Sequence, residues 1–134
     1  MHLLQLTVST WETYPQADAC GRPGQGHMPG MDPGLIHAVN RHDWAIATER
    51  PHLVVYVTSE SAGGTVVGVM CPTDDPQPSP TTEGRYCLPG VLLDSSDPTA
   101  AALLGGRAPL SQHREKRRVR DFSLSAWLTT GQQR

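Results

Sequence analysis

Residues 52–59 read His-Leu-Val-Val-Tyr-Val-Thr-Ser, and residues 65–71 read Thr-Val-Val-Gly-Val-Met-Cys, joined by Glu60-Ser61-Ala62-Gly63-Gly64. Both runs are rich in β-branched residues, which fit a pleated, half-buried surface, and the glycine pair supplies the positive φ that a tight hairpin turn needs. This stretch predicts a β-hairpin over about 52–71. Immediately before it, Asp32-Pro33 combines an N-cap side chain with proline at the first helical position, where a missing N–H costs nothing. Leu35, Val39, His42 and Ile46 then recur at helical spacing until Pro51 restricts Arg50, so one main helix is expected over about 33–49. Helix and hairpin together give a small single α+β domain, its core drawn from Leu35, Val39, Ile46, Val55, Val57, Val67 and Val69.

Working outward, residues 2–10 alternate, with Leu4, Leu6 and Val8 opposite Gln5, Thr7 and Ser9, as in a half-buried strand that joins the same sheet. From Tyr14 to Gly34 neither apolar period survives among five glycines and four prolines, which predicts a long loop, mobile over 14–32. Pro72 to Gly84 holds four prolines and no apolar anchor, so a second mobile loop is expected at 72–84. Tyr86-Cys87-Leu88 and Val91-Leu92-Leu93 flank Pro89-Gly90 as short strands around a turn. Asp97-Pro98 repeats the cap-then-proline start of a short helix that stops at Gly105-Gly106. These long Gly/Pro-rich loops give the expectation of a partly disordered chain.

Composition bounds what the domain holds. Leu, Ile, Val and Phe supply 26 of 134 residues, a small core, and no run approaches the roughly 18 apolar residues of a membrane span. The apolar start Leu3–Val8 has no Lys or Arg before it and is interrupted by Gln5 and Thr7, so a secretory signal is not expected. Cys20, Cys71 and Cys87 form neither a disulfide framework nor a C-x-x-C pair, and a reducing, intracellular setting is expected, cytoplasmic or nuclear. Ten arginines against one lysine, with few Phe, Asn and Ile, indicate a GC-rich coding sequence. That composition keeps in view a reading-frame product with no specific biochemical role.

Charge divides the chain. Residues 1–106 carry −7 and residues 107–134 carry +5, which sets a basic C-terminal tail apart from a 1–106 domain. Within the tail, 111–120 suits an exposed helix, and Asp121–Leu128 places Phe122, Leu124, Ala126 and Leu128 at strand spacing. The concentrated feature is Arg114, Lys116, Arg117, Arg118 and Arg120, whose guanidinium groups suit phosphate or carboxylate partners. The expected function is therefore a small non-catalytic interaction or regulatory protein that meets nucleic acid or an acidic protein surface through these five residues.

Other chemistries are weaker. The glycine-rich stretch 21–34 lies between strand and helix, as a phosphate loop would, and keeps a small enzyme or nucleotide-binding protein as the alternative. Its glycine spacing is wrong for a dinucleotide fingerprint, and there is no Gly-Lys-Ser/Thr. His37 and His42 are five apart, about 140° around a helix, and cannot both face one ion. No metal, cofactor or catalytic set is expected. His42 suits a hydrogen-bonded, partly buried position, and Cys71 and Cys87 suit small core positions better than activated thiolates.

Overall fold

A computed structural model describes residues 2–42, 44–46, 49–59, 63–109 and 119–132. Nine strands and three helices are defined among them. The architecture is a small α+β domain built on a five-stranded mixed sheet, with two further two-stranded pairings beside it. No helix among the described residues is long and apolar enough to cross a membrane.

The hairpin forms where its residues place it. Strands β4 (Leu53–Thr58) and β5 (Val66–Pro72) pair antiparallel, and Gly63 and Gly64 turn between them at φ 111° and 58°. An extra residue, Val67, interrupts the register between Val57↔Val66 and Tyr56↔Gly68. This bulge resets the pleat, so that Val66 and Val69 both lie on the face shared by Val55 and Val57.

Strand β1 (His2–Val8) lies parallel to β4, with Leu3 opposite Leu53 and Val8 opposite Thr58. A parallel pair needs a long crossover, and α1 (Pro33–Asn40) lies within it. Both faces of the sheet are covered, which departs from the half-buried strand expected of residues 2–10. Leu4, Leu6, Val8, Val54, Tyr56 and Met70 pack with Ile36 of α1 and with Trp44 on one side. Leu3, Val55, Val57 and Val69 pack on the other side with Ala100 and Leu103 of α2 (Pro98–Leu103) and with Trp127. Burial from both sides is why β1 and β4 hold so few polar residues.

Helix α1 starts as its cap predicts, with the Asp32 carboxylate accepting the Leu35 N–H at 3.3 Å. It ends at Asn40 rather than near 49. Ile36, Val39 and Asn40 are its buried residues and Leu35 is 39% exposed, so of the expected stripe Leu35, Val39, His42 and Ile46, Val39 alone is a buried residue of this helix. Two interactions stop the helix. The Arg22 guanidinium donates to the Val39 carbonyl at 2.9 Å, and the Trp44 indole donates to the Asn40 carbonyl. Each satisfies a carbonyl that the end of a helix leaves open, and the chain turns away after Arg41.

The two expected loops carry regular pairing. Strands β2 (Glu12–Thr13) and β3 (Gly24–Gln25) pair within the first glycine-rich region, and β6 (Gln77–Pro78) pairs with β7 (Tyr86–Cys87) in the second. Asn40 fastens the first region by clasping both backbone groups of Gly26 at 2.9 Å. The segments around Pro89-Gly90 do not form one hairpin. Strand β7 joins β6, whereas β8 (Gly90–Leu93) extends the main sheet along β5.

The C-terminal stretch supplies β9 (Val119–Ser123), antiparallel to β1, completing the order β8-β5-β4-β1-β9. Helix α3 (Leu124–Gln132) follows directly, where an extended strand to Leu128 was expected. Burial explains the change: Trp127 is 2% exposed, with Leu124 and Leu128 packed around it, so the apolar residues meet the sheet at helical spacing. The expected helix 111–120 falls mainly outside the described residues, and its described end, Val119 and Arg120, lies in β9.

Candidate functional site

The basic residues chosen from the sequence divide between described and undescribed positions. Arg114, Lys116, Arg117 and Arg118 lie outside the described residues, and Arg120 pairs with Gln5 at the β9 edge of the sheet. Both flanks of the run are attached to the domain. Before it, Arg107 bridges Thr65, and the Ala108 N–H donates to the Gly64 carbonyl at 2.7 Å. After it, Val119 pairs with Leu6, and the Trp127 indole donates to the Gln5 side-chain carbonyl at 2.9 Å.

The glycine-rich alternative is placed as follows. The Asp32 carboxylate takes the Leu35 N–H at the start of α1, where a bound anion would sit. The Gly26 N–H is donated to Asn40. These donors serve the fold.

A second cluster, absent from the sequence expectations, forms where α1 ends. A bridge between Trp44 and Tyr86 and a hydrogen bond from the Leu88 N–H to the Arg41 carbonyl lay β7 beside Arg41 and Trp44. Cys87 is thereby set against His42, with Nδ1 and Sγ 2.9 Å apart. The Arg41 Nε donates to the His42 Nε2 at 3.4 Å. His42 and Cys87 are both half-buried, so His42 matches its expected bonded position. The cysteines do not match theirs: Cys87 is part-exposed on β7, which lies outside the main sheet, and Cys71 is exposed next to the end of β5.

One turn earlier on the helix, His37 Nδ1 lies 2.9 Å from the fully buried Tyr56 hydroxyl. Burial pushes the Tyr56 hydroxyl well above its ordinary value, so it stays protonated beside Nδ1. Burial also holds His37 below the usual imidazole value, helped by the positive charge of Arg41 and opposed by a hydrogen bond with the backbone of Gly90. His37 is therefore neutral at pH 7.

A groove of about 480 Å³ runs along this helix end, lined by Cys20, Arg22, His37, Arg41, His42 and Gly90 among others. Arg22 is 6% exposed and is held by Asp18 at 2.7 Å. Burial pushes the Asp18 carboxyl up, but hydrogen bonds from Arg22 and its charge outweigh that and hold it below the usual carboxylate value. Among the described residues, no three His, Cys, Asp or Glu side chains converge to hold a metal ion. Nothing in the spacing of His42 and Cys87, 45 residues apart, marks them as partners. Comparison with known proteins gives no relative: no family model, curated protein or solved structure matches this chain.

Proposed function

We propose that the protein is a small, non-catalytic intracellular interaction module that contacts the phosphate backbone of nucleic acid through Arg114, Lys116, Arg117, Arg118 and Arg120. The observation that supports this reading is the attachment of both flanks of the basic run, through Ala108 on one side and β9 on the other. A cationic segment closed at both ends loses less chain entropy on binding than a free tail. Guanidinium groups match phosphate oxygens bidentately.

Salt dependence tests the reading. Each neutralised phosphate releases counterions, so about four contacts give a slope of log K against log salt near −4 on duplex DNA. Replacing Arg117 and Arg118 with Ala lowers that slope by about two, measured by fluorescence anisotropy of a labelled duplex between low and moderate salt. Absence of DNA binding at low salt overturns the reading, as does an unchanged slope in the double variant. Binding of a polyglutamate peptide in place of DNA transfers the same residues to an acidic protein surface.

A further inference from the structure

We propose that Cys87 is a reactive thiol, activated by His42 and Arg41, that undergoes thiol–disulfide exchange with small anionic disulfides. The tautomer of His42 carries the inference. Arginine has no acceptor, so the Arg41 Nε contact at 3.4 Å requires a lone pair on His42 Nε2. Neutral His42 then carries its proton on Nδ1, the nitrogen 2.9 Å from Cys87 Sγ. The sulfur is consequently the acceptor of an N–H bond, the role a thiolate fills far better than a thiol. Arg41 sets that proton position and adds a fixed positive charge behind the ring. Among the described residues lining the neighbouring groove, the other charged or titratable groups are Arg22, His37 and Cys20. Arg22 is buried and paired with Asp18, so Arg41 is the charge that favours an anionic reagent.

In the reaction, the Cys87 thiolate attacks one sulfur of a low-molecular-weight disulfide. A new S–S bond joins Cys87 to half of the reagent as the old S–S bond breaks. The Cys87 proton is lost to solvent when the thiolate forms, and the departing thiolate carries the electron pair away, so no net oxidation occurs. Cys71 provides the internal control. It is exposed, and its thiol faces the Pro72 carbonyl at 3.9 Å rather than an imidazole.

The experiment treats the intact protein with dianionic 5,5′-dithiobis(2-nitrobenzoate) at pH 6.5 and follows each cysteine by peptide mass mapping. Accessibility alone ranks Cys71 first. The proposal requires Cys87 to react faster than Cys71 by about tenfold. His42→Ala removes that advantage and leaves the Cys71 rate unchanged, His42→Asn restores part of it through the amide N–H, and Arg41→Gln slows the anionic reagent more than the uncharged 2,2′-dithiodipyridine. A faster Cys71 in the native protein overturns the proposal, whatever the stability of the variants. So does an unchanged Cys87 rate in a folded His42→Ala protein.

Discussion

Replacing Trp127 with Ala tests whether the basic run is attached to the fold at its C-terminal flank. Trp127 is 2% exposed and packs in the cluster that holds Leu3, Val55 and Leu103, while its indole N–H satisfies Gln5, itself 3% exposed on β1. Truncation removes the apolar contacts of a buried tryptophan, about 3–5 kcal/mol. It also leaves the Gln5 carbonyl buried without its donor, a further cost of about 1–3 kcal/mol. Against a total stability of about 5–15 kcal/mol, the variant is expected to be marginal or unfolded. With a urea slope of about 2 kcal/mol per molar, even a 4 kcal/mol loss moves the unfolding midpoint by about 2 M, read by far-UV circular dichroism. Trp127→Phe and Gln5→Leu separate packing from the hydrogen bond. Each single change orphans one polar group, whereas the double variant orphans neither, so the cycle shows a coupling of about 1 kcal/mol or more. A loss below about 1 kcal/mol in Trp127→Ala would refute the placement of α3 on the sheet and remove one of the two flank attachments.

Gly90 begins β8, and a Cβ there would strike the Met70 side chain and lie 2.7 Å from the Cys71 carbonyl. Gly90→Ala is thus expected to cost about 1–3 kcal/mol and to speed amide exchange in β8 before β4, as hydrogen-exchange mass spectrometry would show. His37 supplies a pH dependence whose sign follows from its lowered folded value. As pH falls below 6.5, the unfolded chain takes up this proton first, so the His37 contribution is complete above that pH and is lost toward the lower folded value. Urea midpoints measured from pH 7.5 to 5 should fall on the acid side, and less steeply in His37→Gln; identical profiles would contradict the buried, neutral imidazole.

Local chemistry by itself determined the hairpin, the start of α1 and helix α2. Gly63-Gly64 has the torsional freedom for a tight turn, and Asp32-Pro33 and Asp97-Pro98 complete helix N-termini from within a few residues. The reach of α1 was not local, because Arg22 and Trp44 meet its last carbonyls from outside the helix. The same holds for residues 121–128: their alternating apolar positions suit a strand, but packing Trp127 onto the sheet through Gln5 favours a helix. Parallel pairing of β1 with β4 depends on partners about fifty residues apart, and periodicity says which face of a strand is apolar without saying which strand lies beside it. The sequence alone located the basic run, since charge can be counted along a chain. The His42–Cys87 pair was decided by tertiary structure, which lays β7 beside Arg41 and Trp44 and so brings an imidazole nitrogen within 2.9 Å of a thiol 45 positions away.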